Sequence, residues 1–271
     1  MTAVSSGYAT QLMARAGDLR WEYPFGCSFP GYYALMASAH MAEFGTTPEM
    51  LSSIGVKNHH YGAMNPNAHI QKEVSLEDAM SAVQIASPLN LYDCSLISDG
   101  AAAVLVTKES IAKNFTDTPI FIRGIGSGSD TMQMSRRESM TGLAGARRAA
   151  QIAYEMAGIT PADVDIAEVH DCFTIAEIMA LEDLGFYEPG QAGPASLDQQ
   201  LYIGGKIPTN VDGGLKAKGH PLGATGVSQA VEIRKHLLGE NGKRQVDGAE
   251  IGLSHNVGQT GQFVNVVIYD R

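Results

Sequence analysis

The residues that could do chemistry gather in three short stretches of the second half of the chain. The longest runs from Asn210 to Gly226, Asn-Val-Asp-Gly-Gly-Leu-Lys-Ala-Lys-Gly-His-Pro-Leu-Gly-Ala-Thr-Gly, and sets His220 among five glycines ahead of a helical pattern that starts near Val227. Glycine at that density lets the backbone reach positive φ and approach a ligand closely. Pro221 fixes φ after His220 and biases the histidine towards an extended conformation, which limits where its imidazole can point. A histidine held in this way suits proton transfer near neutral pH. The second stretch, His170-Asp171-Cys172-Phe173, follows a short apolar run, and the third, His255-Asn256-Val257-Gly258, precedes the last apolar run of the chain. Condensation or cleavage at a thioester needs an acyl carrier, a base to activate it, donors for oxyanions and an acid/base for the α-carbon. The three stretches can supply all of these but the acyl carrier.

In wording and order these blocks resemble the thiolases, and most closely the sterol-carrier-protein and archaeal acetyl-CoA acetyltransferase branch. Three blocks in the right order over roughly the C-terminal half are far more specific than a lone glycine motif. The resemblance implies a thiolase-like α/β fold: a complete C-terminal half, with a mixed five-stranded sheet and helices, preceded by the loop domain and closing strand of the N-terminal half. It places the loop domain and that remnant in residues 1–118 and the C-terminal thiolase domain in residues 119–271. It further implies an acyl-CoA acyltransferase working on CoA thioesters, with coenzyme A as substrate and no separate cofactor or metal. The expected assembly is a homodimer or tetramer, with an OB-fold/zinc-ribbon subunit as a further partner.

Roles follow from the resemblance, residue by residue. His220 would be the base that activates an acyl-carrying cysteine and then donates to the thioester oxygen. Cys172 would be the second cysteine, moving a proton at the substrate α-carbon, because Asn256 stands where most thiolases carry the cysteine of Cys-x-Gly. A free thiol titrates near about 8.5 and must be brought down to serve as a base; the helix start expected just after Cys172 would do so. His170 stands where many thiolases have the asparagine of Asn-Glu-Ala-Phe and would hold an oxyanion donor or water. Gly258 would offer its N–H to a second oxyanion, with His255 and Asn256 lining that loop, and Gly219, Pro221 and Gly223 would contact the substrate. Asp171, one step along from His170, is expected to point away and to be structural.

The family's nucleophile sits at the tip between a strand and a long buried helix, upstream of the region matched here. Neither Cys27 nor Cys94 has that setting, and both read as packed thiols. The expectation is a chain that starts half-way through the fold, as a truncated gene, a fragment or one subunit of a split enzyme, without its acyl carrier. Two other readings stand beside it: a thiolase-fold retro-aldolase of β-hydroxyacyl-CoA, which needs no nucleophilic cysteine, and a non-catalytic subunit that binds CoA esters.

The elements that must position these blocks are legible in outline. An apolar helical run ends at Gly45, and Thr47-Pro48 reads as a cap and first helical residue. His59, His60 and His69 fall close together without the second pair that zinc would want. Ala101 to Val106 is an uninterrupted apolar run suited to a strand buried on both faces. Ile120 to Arg123 begins a strand that runs into Gly124-Ile125-Gly126-Ser127-Gly128; the glycine spacing and the polar residues after it do not fit a dinucleotide turn. Helices are expected over 143–157, 174–184 and 227–238, and strands over 164–169, 249–254 and 263–268.

A net charge of −10 without a basic run argues against nucleic acid as partner. No window reads as membrane-spanning, so no membrane role is expected. The three cysteines lack paired spacing, the first residues show no secretory pattern, and the chain does not end in a peroxisomal tripeptide, which together make the cytoplasm the expected compartment.

Overall fold

The computed structural model describes residues 6–271, so Met1 to Ser5, part of the expected half-way start, lie outside the described residues. The first part of the chain is helical: α1 (Ser6–Ala14), α2 (Phe29–Phe44), α3 (Pro48–Met64) and α4 (Leu76–Met80), followed by a small hairpin of β1 (Gln84–Ala86) and β2 (Leu89–Asn90) and by α5 (Glu109–Ala112). Local chemistry sets these boundaries. Ser28 Oγ accepts the Gly31 N–H at 3.2 Å and Thr47 Oγ1 accepts that of Met50 at 3.3 Å, capping α2 and α3. Gly45, at φ 76°, ends α2 in the left-handed conformation that glycine adopts without strain.

The second part alternates strand and helix: β3 (Phe121–Ser129), α6 (Ala144–Ala157), β4 (Ile166–Glu168), α7 (Thr174–Asp183), α8 (Ala192–Leu197), α9 (Thr225–Leu238), β5 (Ile251–Gly258) and β6 (Phe263–Asp270). Its sheet has the order β3-β6-β5-β4, antiparallel except for the parallel pair β4 and β5. Side chains alternate across it. Val264, Val266 and Ile268 join the alanines of α6 in one core, whereas Tyr269 and Ile166 join Ile233 and Leu237 of α9 in another, so a helix covers each face. The glycines of β3 have a packing purpose. A Cβ on Gly124, Gly126 or Gly128 would lie 2.3, 1.8 or 2.0 Å from the carbonyl oxygens of Ala153, Ala149 and Gly145, so their absence lets α6 lie directly on the strand.

The α/β class holds, but the sheet has four paired strands where five were expected. The fifth position, beside β4, is occupied by a single parallel bridge between Ala167 and Thr209. Pro208 has no N–H to donate, and Asn210 turns away at φ 53°, so the pairing stops after one residue. The strand expected over Ala101 to Val106 is also absent. That stretch joins no ladder, and Val104, Leu105 and Val106 are 45, 77 and 67% exposed.

The two parts of the chain share one core. Tyr32, Tyr33, Met36 and Leu51 of α2 and α3 pack in the same cluster as Phe173, Ile175 and Ile178 at the start of α7. That contact brings the helical first part against the residues that follow β4.

Candidate active site

The carboxyl end of β4 delivers Val169 to Phe173 just before α7 begins, and the parallel strand β5 carries His255 to the same end of the sheet. Open α/β sheets gather ligands at this end of their strands. His220 arrives from another direction, after a π-helical turn over Gly214–Lys218 and shortly before α9. All three histidines are buried, at 5% exposure for His170, 8% for His220 and 1% for His255. The rings of His170 and His220 meet edge to face with centroids 4.9 Å apart, and the His170 backbone N–H makes a long 3.5 Å contact with His255 Nδ1.

Hydrogen bonding assigns the proton on His220. Its Nδ1 lies 2.7 Å from Thr225 Oγ1, and the Thr225 hydroxyl donates its one hydrogen to the Pro221 carbonyl at 3.2 Å. Thr225 must then accept from His220, so Nδ1 bears the hydrogen and Nε2 carries the lone pair. Burial, and after it the nearby Lys218 charge, push the His220 pKa down to about 4. At neutral pH the ring is an uncharged base with a fixed tautomer.

The neighbouring imidazoles are neutral too. Burial holds His255 at about 4, and burial together with His220 and His255 holds His170 well below the usual histidine range. His255 accepts at Nδ1, which leaves its hydrogen on Nε2, and that nitrogen is buried without a hydrogen-bond partner among the described residues. His170 Nδ1 is likewise unpartnered. An unmet buried polar group costs about 1–3 kcal/mol. Two of them on one cluster make it a place where a polar ligand group or a water would be stabilising.

Cys172 is 1% exposed, in contact with Tyr33 of α2, whose hydroxyl shares a hydrogen bond with the thiol and whose ring stacks on Phe173 at 4.5 Å. Burial pushes its pKa up to about 12. The downward shift expected from the start of α7 is therefore outweighed, and the resting group is a thiol. The other two cysteines are engaged elsewhere. Cys27 is half-buried against the Tyr32 hydroxyl, and Cys94 Sγ donates to the Asn90 carbonyl at 3.4 Å; burial pushes both pKa values up, that of Cys94 to about 12.

The remaining expected residues spread around this centre. The Asn256 amide donates to Gln229 Oε1 at 3.2 Å, so its side chain is held against α9 instead of bonding to the histidines. Gly258 closes β5 opposite Phe263. Gly219 has φ 113°, and a Cβ there would sit 2.6 Å from Ser98 Oγ, so its lack of a side chain serves the fold of the turn. Pro221 faces Gly100, while Gly223 is exposed with open space where a Cβ would be. The histidines of the first part point three ways: His59 Nδ1 to the Lys72 carbonyl, His60 to Glu73 and His69 to Ser98. Among the described residues no three His, Cys, Asp or Glu side chains gather as a metal site, and no helix is long and apolar enough to cross a membrane. Thr225, Tyr33 and Ser98 were not singled out from sequence. Thr225 alone had a local signal, being the one hydroxyl residue between Pro221 and the helical pattern expected from Val227.

Comparison with known proteins gives the family. The family described as thiolase C-terminal domain-like matches residues 126–271. Acetyl-CoA acetyltransferase of Methanothermobacter thermautotrophicus is 47% identical over 97% of this chain and 68% of its own length. Sterol carrier protein 2 of Bos taurus is 38% identical over 89% of this chain, which spans 45% of that protein. Among solved structures, an Ltp2-ChsH2(DUF35) aldolase superposes with a TM-score of 0.83 at 26% identity, covering 93% of this chain and 66% of that one. A monomeric SCP2-thiolase like protein type 1 from Mycobacterium smegmatis, at 18% identity and a TM-score of 0.65 over 89% of this chain and 52% of that one, shares the fold. The chain belongs to the thiolase family.

Proposed function

We propose that the chain carries the proton-transfer side of a thiolase-type acyl-CoA acyltransferase of the acetyl-CoA acetyltransferase kind, acting on CoA thioesters in the cytoplasm. The observation that carries the reading is the Thr225–His220 bond, which leaves a neutral imidazole, packed edge to face with His170, with its lone pair on Nε2. His220 takes the proton of an acyl-carrying thiol and returns it to the sulfur that departs when the thioester exchanges, while Cys172 serves the α-carbon. His170, His255 and the Gly258 N–H stabilise developing oxyanions, and Asn256 holds the β5 end against α9. Gly219, Pro221 and Gly223 border the substrate. Each of the three thiols already has a partner, Cys27 the Tyr32 hydroxyl, Cys94 the Asn90 carbonyl and Cys172 the Tyr33 hydroxyl, and on this reading the acyl carrier is none of them. The catalytic unit on this reading is a homo-oligomer, with coenzyme A as substrate and no further cofactor.

The test follows acetoacetyl-CoA thiolysis and the exchange of acetyl-CoA methyl hydrogens with solvent, in the protein supplied with its acyl-carrying part and in the His220→Ala variant of the same assembly. Loss of a positioned base lowers thiolysis about 100-fold or more; a variant with near-normal turnover removes His220 from the reaction.

The likeness to an aldolase structure supports a second reading. In a retro-aldol cleavage of β-hydroxyacyl-CoA, the His220 lone pair would take the hydroxyl proton and no acyl carrier would be needed. Aldehyde formed without consumption of free CoA would select it, with a partner subunit as in the complex named by that structure.

A further inference from the structure

Asp171 lies between His170 and Cys172 in sequence, yet its carboxylate serves a different surface. It is 1% exposed, and its oxygens accept the backbone N–H of Leu215 at 2.7 Å, that of Lys216 at 3.3 Å and the Asn58 amide at 2.7 Å. Leu215 and Lys216 belong to the π-helical turn that leads into Gly219 and His220. The approach is so close that a Cβ on Gly214 would come within 2.2 Å of Asp171 Oδ2 and 2.9 Å of Asn58 Nδ2. One carboxylate therefore joins the strand end that carries His170 to the turn that carries His220.

A second tie runs alongside it. Asn210 Oδ1 accepts the Val169 N–H at 2.8 Å, and its amide donates to Glu177 at 2.9 Å; Glu177 also accepts from Asn58 at 3.2 Å and pairs with buried Lys57 at 2.8 Å. The far end of the turn is pinned separately, by His69 and Ile70 N–H groups on the carbonyls of Lys218 and Ala217 and by Ser98 on the His220 N–H. Three donors converge on the two Asp171 oxygens, and an amide in that place would set its own N–H against one of them.

We propose that Asp171 is a positioning residue of the site: its carboxylate, completed by Asn58, sets the edge-to-face contact of the His170 and His220 rings. Its catalytic consequence rests on the function proposed above, whereas the geometric claim does not. The decisive experiment is NMR of the histidine side-chain nitrogens in the full chain, assigned with His170→Gln and His220→Gln. Burial and Glu177 push the Asp171 pKa up to about 7, so spectra are read near pH ~8, where the carboxylate is ionised. Asp171→Asn and Asn58→Ala are compared with Asp183→Asn, which removes a carboxylate that holds the Leu143 N–H at 2.7 Å in another part of the chain.

The expected result is that Asp171→Asn and Asn58→Ala shift and broaden the His170 and His220 ring signals, while Asp183→Asn leaves them in place even if it lowers the melting temperature. Where turnover is measurable, Asp171→Asn lowers kcat about 10- to 100-fold with KM within about 3-fold, the pattern of a misplaced group and not of lost substrate binding. Ring signals unchanged in Asp171→Asn, or changed equally by Asp183→Asn, would overturn the proposal. A protein that shows the expected NMR changes but no turnover in the wild type, even when supplied with the acyl-carrying part, would count against the proposed reaction and for the positioning role.

Discussion

Replacing Thr225 with valine tests the proton assignment on His220 with little change of shape. The wild-type hydroxyl holds His220 Nδ1 at 2.7 Å and is itself spent on the Pro221 carbonyl at 3.2 Å. Valine fills nearly the same volume but leaves the Nδ1–H of a ring that is 8% exposed without an acceptor. An unmet buried donor costs about 1–3 kcal/mol, and the ring can escape that cost only by rotating or by moving the hydrogen to Nε2. Either escape removes the lone pair from the reactive side. At about 1.4 kcal/mol per tenfold, a cost borne by the reactive tautomer lowers the rate roughly 5- to 150-fold. Thr225→Ser keeps the hydroxyl and should stay close to wild type. Side-chain nitrogen NMR reads the tautomer directly, with hydrogen on Nδ1 in the wild type and a mixed or reversed pattern in Thr225→Val, and thiolysis reads the rate. A valine variant that keeps both the Nδ1–H tautomer and turnover within about 2-fold of wild type would refute the assignment.

The acid side of the pH–rate profile should follow His220. A pKa held down near 4 means the base is present above that pH and is lost as pH falls through it, so an acid limb near the ordinary histidine value would show that the ring is not buried as described. Cys172→Ala should abolish exchange of acetyl-CoA methyl hydrogens while leaving acyl transfer partly intact, and persistent exchange would move that role to another group. The exposed run Val104, Leu105 and Val106 is an apolar surface of the kind that drives association, so the chain should self-associate and Leu105→Lys should weaken this in sedimentation velocity. An unchanged distribution would put the contact elsewhere.

Features set by neighbouring residues were legible in the sequence, and features set by distant ones were not. Thr47-Pro48 and Gly45 announce helix ends because a cap is a contact within one turn, and the structure uses both of them so. The three chemical blocks were legible because their residue types and spacing are themselves unusual. Ala101 to Val106 was misread because an apolar run shows that a strand could be buried there, not that a partner lies alongside. The fifth strand was misjudged because pairing at Thr209 depends on the backbone turn at Asn210. Asp171 was read as structural by alternation, and its side chain does leave the histidines. What alternation could not show is that Asn58 and the turn at Leu215, far away in the chain, meet it there. The stacking of Tyr33 on Phe173 and its bond to Cys172 have the same long-range origin.

The protonation states found together bear on the α-carbon step of the proposed reaction. His220 rests as a neutral base and Cys172 as a thiol whose pKa is about 12. Cleavage of a β-ketoacyl thioester leaves an enolate on the departing acetyl-CoA, and quenching it calls for an acid at the α-carbon. The resting thiol is that acid, with the Tyr33 hydroxyl placed to stabilise the thiolate that remains. Condensation calls for the reverse: a thiolate must first form, and one pKa unit costs about 1.4 kcal/mol. With a pKa five units above neutrality, the thiolate costs several kcal/mol more in this closed state than an unperturbed thiol would. The thiol is therefore the resting form, and proton abstraction at the α-carbon needs an event that lowers its pKa, such as a bound thioester or a shift of α2 that admits water. The measurable consequence is that methyl exchange in acetyl-CoA, which needs the thiolate, should be slow beside thiolysis and rise with pH throughout the neutral range. Exchange that is fast and independent of pH between about 6 and 9 would mean that Cys172 is ionised at rest, and the burial argument would fail.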